Sequence, residues 1–96
     1  MDKERFPNKK AVEGQKADLT DANLTNANLT SVNLTDANLS GANLTGADLI
    51  DANLSGADLR YANLTNANLT SVNLTSANLT GADLTGADLR YADLTT

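Results

Sequence analysis

Residues 17–36 read ADLTD ANLTN ANLTS VNLTD. The leucine of this five-residue unit recurs without a gap at Leu19, Leu24, Leu29, Leu34, Leu39, Leu44, Leu49, Leu54, Leu59, Leu64, Leu69, Leu74, Leu79, Leu84, Leu89 and Leu94. Two residues before each leucine stands alanine, or valine at Val32 and Val72, and between them always Asn or Asp. A helix cannot use this period. At about 100° per residue, five residues advance about 140° past a full turn, so the leucines would spiral around the cylinder and make no stripe. A straight strand fails as well, because its side chains alternate with period two and five is odd. A bend inside every unit resolves the conflict. Ala and Leu then point one way, Asn or Asp points out between them, and Thr, Ser and Gly suit the two-residue turn that follows.

Bends of one sense wind the chain into a coil, and coils stack at the inter-strand spacing of about 4.8 Å, each satisfying the backbone of the next. The number of sides follows from longer echoes. Residues 21–56 match residues 61–96 at 27 of 36 positions, an offset of 40 that is two turns of 20 and no whole number of turns of 15. The repeat of GADLRY at 56–61 and 86–91, offset by 30, favours 15. The longer echo and the volume of four Leu and four Ala per lap favour four sides. The expected core is the ladder of sixteen leucines. Residues 17–96 form the coil; residues 1–16 form a cap or tail, with Phe6 and Val12 laid over the first lap, either as a short helix or disordered.

These units resemble the pentapeptide-repeat family, whose grammar is A-(D/N)-L-x-x, and the resemblance covers all of residues 17–96. It implies an all-β solenoid, a right-handed quadrilateral β-helix, here of four coils. The family is frequent in cyanobacteria, and for most members no biochemical role is assigned. Some members imitate a DNA duplex in size and negative charge and bind DNA gyrase, which makes that the alternative function.

Composition narrows the chemistry. The chain has no cysteine and no histidine, so disulfides and thiolate or imidazole sites are ruled out, and no cofactor or metal is expected. Residues 1–16 carry five basic against three acidic groups; residues 17–96 carry nine aspartates against Arg60 and Arg90. An acidic body repels phosphates, so direct nucleic-acid binding is not expected. No apolar run approaches the roughly 20 residues of a membrane span, and the N-terminus lacks an apolar signal-peptide core, so a cytoplasmic protein is expected. The ten N-L-(T/S) sequons follow from the repeat grammar. The aspartates are spread along a convex prism without the cleft that paired carboxylates need, and no histidine is available to activate a hydroxyl. The chain is therefore expected to be no enzyme but a structural or protein-interaction module.

Four columns isolate the irregular positions. One face carries Asp48, Ile50, Asp51, Asp88, Arg90 and Tyr91 and is the expected surface for an unidentified protein partner. The opposite face carries Arg60 and Tyr61, a candidate second patch, with the tyrosine between Gly41 and Gly81, where covering those glycines is the favoured role. A third face ranks Thr25, Thr45, Thr65 and Thr85 beside Asn23, Asn43, Asn63 and Asp83. It resembles the flat threonine ranks of insect antifreeze proteins, which makes ice binding a second alternative. The uncapped last coil is expected to support an end-to-end homodimer.

Overall fold

The structure, a computed structural model, describes residues 1–96. From residue 17 onward the chain meets itself through isolated parallel bridges, one per pentapeptide, and each joins residues 20 apart, from Asn23 with Asn43 to Asn73 with Asp93. One lap is thus four pentapeptides. The 40-residue echo is two laps, and the 30-residue echo, a lap and a half, puts the two Arg-Tyr pairs on opposite sides. Bridges stay isolated because the extended run between bends is only three residues long, and its central Asn or Asp alone pairs to both sides.

The bend is a four-residue turn from Leu to the next Ala. Ala27 N–H donates to the Leu24 carbonyl at 3.1 Å, and the same bond recurs around the coil. Its second turn residue has positive φ in every repeat from Asp21 (58°) to Tyr91 (61°), as a type II turn requires. Five of these fifteen residues are glycine and five are Asn or Asp, the types that tolerate the left-handed region. Three are serine and two are tyrosine, which hold it only because the ladder imposes it.

Every backbone N–H of an interior repeat is bonded within the chain. Ala42 N–H closes the turn on Leu39; Asn43 N–H reaches back to the Ala22 carbonyl at 2.9 Å; Leu44 N–H reaches forward to the Asn63 carbonyl at 2.7 Å; and Gly46 N–H reaches forward to the Thr65 carbonyl at 2.9 Å. The fifth donor, Thr45 N–H, goes to the Asn43 side chain at 3.0 Å. No donor is left for water, and that is what lets so thin a coil hold together without strands.

Inside, the leucines from Leu19 to Leu74 and the alanines and valines from Ala22 to Val72 are buried, with Val32 and Val72 two laps apart in one column. Residues 77–96 differ. Ala77, Leu79, Leu84, Ala87, Leu89 and Ala92 are partly covered and Leu94 is 52% exposed. The N–H groups of Leu79, Gly81, Leu84, Gly86, Leu89, Tyr91 and Leu94 find no acceptor within the chain.

At the other end, residues 1–16 lie over the first lap. Helix α1, Lys9–Gly14, starts at Asn8, whose side chain accepts from Ala11 N–H. Phe6 and Val12 are fully buried against the first leucines. Asp2 N–H donates to the Asn23 carbonyl, Lys9 Nζ to the Thr30 carbonyl, and the Glu13 carboxylate accepts from Asn33 N–H. In later laps the equivalent groups of Asn and Thr bond to the preceding lap, so this segment supplies part of what a lap would. No helix is long and apolar enough to cross a membrane.

Candidate interaction surface

Each pentapeptide offers solvent three side chains: the central Asn or Asp and the two turn residues. The central residue is already committed. Its Oδ1 accepts the N–H of the residue two positions on and, at every threonine there except Thr20, its hydroxyl. At Asn23 these bonds measure 3.2 Å and 2.8 Å, at Asn63 3.0 Å and 2.6 Å. The central residues form no amide ladder between laps; each caps its own turn. Asp substitutes freely because the task needs only an acceptor oxygen. The same bond lowers the pKa of Asp83 and Asp93, where the hydroxyls of Thr85 and Thr95 are the leading cause and their backbone N–H groups the next.

This local bond also changes the rank of Thr25, Thr45, Thr65 and Thr85. Each hydroxyl proton turns inward to its own Asn or Asp. The face therefore presents hydroxyl lone pairs and amide groups, not a lattice of hydroxyl donors.

The first turn residue stands freer. Ile50 is half-buried; Arg60 and Arg90 replace threonine and are exposed. Both arginines fold back on the aspartate two residues earlier. Arg60 Nη2 lies 2.7 Å from Asp58 Oδ2, and Arg90 Nη2 lies 2.7 Å from Asp88 Oδ2. These bonds, chiefly from the arginine side chain, hold the Asp58 and Asp88 carboxyls below the usual range. In so exposed a setting they contribute little to stability.

The second turn residue leans toward the next lap. A Cβ on Gly41 would collide with Asp21 Oδ1, one on Gly46 with Asn26 Oδ1, one on Gly56 with Asp36 Oδ1 and one on Gly86 with Asn66 Oδ1; a Cβ on Gly81 would lie 2.6 Å from the ring of Tyr61. Tyr61 thus covers Gly81 alone, and the expected cover of Gly41 comes from Asp21 instead, because these side chains reach in one direction only. Tyr61 remains 69% exposed, and Tyr91, with no lap beyond it among these residues, is 86% exposed.

Asp48 and Asp88 share one column through Asn68, as the four-sided register requires. Ile50, Asp51, Arg90 and Tyr91 belong to the same face, while Arg60 and Tyr61 belong to the opposite one, so the two patches never meet. The surface has no cavity. No group of three or more acidic side chains could hold a metal ion. Sequence reasoning missed the left-handed column, whose signal was the concentration of Gly, Asn and Asp at the second turn position.

The family model for pentapeptide repeats matches in eight copies across residues 15–49, 37–75, 47–86 and 67–95. Among solved structures, the chain is similar to a pentapeptide repeat protein, Rfr23, from the cyanobacterium Cyanothece 51142, with 41% identity, a TM-score of 0.76, and coverage of 78% of this chain and 52% of that one. It is also similar to a pentapeptide repeat protein from the Arabidopsis thaliana thylakoid lumen, with 33% identity, a TM-score of 0.59, and coverage of 85% and 66%. The chain thus spans about half to two thirds of the length of these relatives. No curated protein matches it.

Proposed function

This chain belongs to the pentapeptide repeat family, a family of right-handed β-helix solenoids, and on that premise we propose that it is a rigid, non-catalytic module that presents fixed columns of side chains to a protein partner. We infer with it that the sixteen repeats wind four laps of a quadrilateral prism. The observation that carries the functional reading is the division of labour in the repeat. Ala and Leu are spent on the core, all five N–H groups of an interior repeat are bonded within the chain, and the Asn or Asp oxygen is spent on the turn. Only the two turn residues are free to vary, and large or apolar side chains there stand in two places. Ile50, Asp51, Arg90 and Tyr91, flanked by the central residues Asp48 and Asp88, form the larger patch, and Arg60 with Tyr61 the smaller. Exposed Tyr and Arg held on a stiff support lose little conformational freedom on binding and are the residue types that anchor interfaces.

The test compares capture of a partner from the native host by the wild-type chain, by Arg90→Ala/Tyr91→Ala and by the control Thr25→Ala/Thr45→Ala on another face. The reading expects the first double variant alone to lose the partner. A partner lost equally with the threonine control would remove the assignment of this face.

A further inference from the structure

The backbone bonds between laps do not cancel along the axis. In an interior repeat Leu44 N–H and Gly46 N–H point forward to the Asn63 and Thr65 carbonyls, while Asn43 N–H alone points back to the Ala22 carbonyl. Each repeat therefore leaves one net peptide dipole along the axis, with its N–H end toward the later laps. A lap of four repeats, at about 3.5 D per dipole and about 4.8 Å of rise, is equivalent to at most about 0.6 of an elementary charge at each pole. An α-helix has a pole of similar size but of opposite sense. Here the negative pole lies at the first lap.

Residues 1–16 lie on that pole, and their charged groups follow its sign. Arg5 Nη2 donates to the Asp18 carbonyl at 2.7 Å, and Lys9 Nζ donates to the Thr30 carbonyl at 2.7 Å. Both carbonyls belong to peptides whose N–H groups, of Leu19 and Ser31, point forward. The carboxylate of Glu13 instead accepts from Asn33 N–H at 2.9 Å, the backward-pointing kind of donor. Cations thus meet the outward carbonyls, and the anion meets the outward N–H. The first-lap aspartates are turned elsewhere: Asp18 Oδ1 accepts from Thr20 N–H, and Asp21 and Asp36 reach toward Gly41 and Gly56 of the next lap. We propose that residues 1–16 are an electrostatic latch on the negative pole of the coil, held by the cations of Arg5 and Lys9. The latch loosens when Lys9 loses its charge or when salt screens it, and loosening uncovers the first-lap edge. Phe6 and Val12, buried beneath the segment, seat it in place without regard to charge.

The experiment follows amide exchange in the full chain at Asn33 and Asn38, whose N–H groups are held by the Glu13 carboxylate and the Lys16 carbonyl. Leu54, deep in the coil, is the internal reference. Wild type, Lys9→Met and Lys9→Arg are compared at about 0.01 M and about 0.5 M salt, between which the screening length falls from about 30 Å to about 4 Å. Methionine keeps most of the lysine stem and removes the charge. At low salt Lys9→Met should exchange about two- to fivefold faster than wild type at both amides, and Lys9→Arg about as slowly as wild type. At high salt wild type should approach Lys9→Met. No gap at low salt, a gap undiminished at high salt, or a Lys9→Arg chain as fast as Lys9→Met would each overturn the latch. The source of the field is tested in Asp18→Asn/Asp21→Asn/Asp36→Asn, which keeps each acceptor oxygen. The Lys9→Met gap should survive in that background. Its disappearance there would assign the field to the carboxylates and overturn the backbone pole.

Discussion

Truncating Leu54 to alanine isolates the core ladder from everything else in the molecule. Leu54 is fully buried, its N–H is 2.7 Å from the Asn73 carbonyl, and laps pass before and after it. Three carbons are removed, worth about 2.4 kcal/mol at about 0.8 kcal/mol each. The cavity cannot close, because the hydrogen-bonded laps hold its walls at a fixed spacing, and the added cavity term brings the loss to about 2–5 kcal/mol. Leu94 provides the internal comparison. It is 52% exposed, so Leu94→Ala forfeits only about half the transfer term and opens no closed cavity, a loss of about 1 kcal/mol. Urea unfolding followed by far-ultraviolet circular dichroism measures both, with the slope checked for constancy between variants. Equal losses at the two positions, or a Leu54→Ala loss under about 1 kcal/mol, would refute the reasoning that the leucines form one dense interior column.

Other consequences test the turn, the cap and the charges. Gly41→Ala places a Cβ against the Asp21 carboxylate in a left-handed turn and should cost about 1–2 kcal/mol or more in urea unfolding. Ser31→Gly, which frees a non-glycine residue held at φ 59°, should instead gain up to about 1 kcal/mol. Phe6→Ala should loosen residues 1–16 and speed amide exchange at Asn33 and Asn38, whose acceptors are Glu13 and Lys16, while Leu54 exchange stays slow. The lowered carboxyls of Asp58, Asp83, Asp88 and Asp93 make stability pH-dependent. A depressed folded pKa stabilises above the unfolded carboxylate value, and that contribution is lost as pH falls through the folded one. The melting midpoint should therefore fall on acidification below the usual carboxylate range, and Asp83→Asn/Asp93→Asn, which keeps the acceptor oxygen, should flatten that fall.

The repeat grammar carried the architecture because one period served every level at once. The odd spacing forced a bend, the bend put Ala and Leu inside, and the offset of 40 chose four sides; the bridges 20 residues apart follow the same register. What periodicity could not reveal was direction. Nothing in A-N-L-x-x says that the second turn side chain reaches forward, so Tyr61 was expected over two glycines and in fact lies over Gly81 alone. Nor did it say that Asn43 Oδ1 faces the turn and not the Asn of the next lap; both roles satisfy the same residue type. The candidate surface was readable only as departure from a pattern. Arg90 and Tyr91 stood out because threonine or a small residue usually fills their columns, yet the pairing of Arg90 with Asp88 depends on a side-chain rotamer that composition does not specify.

The account rests on laps of four pentapeptides whose backbones bond each to the next. Scalar coupling across hydrogen bonds, measured by nuclear magnetic resonance on isotope-labelled protein, reads that register directly. Leu54 N–H should couple to the carbonyl carbon of Asn73 and Leu44 N–H to that of Asn63. Coupling of Leu54 to the carbonyl carbon of Asn68 instead, one pentapeptide earlier, would mean a three-sided coil and would contradict the account.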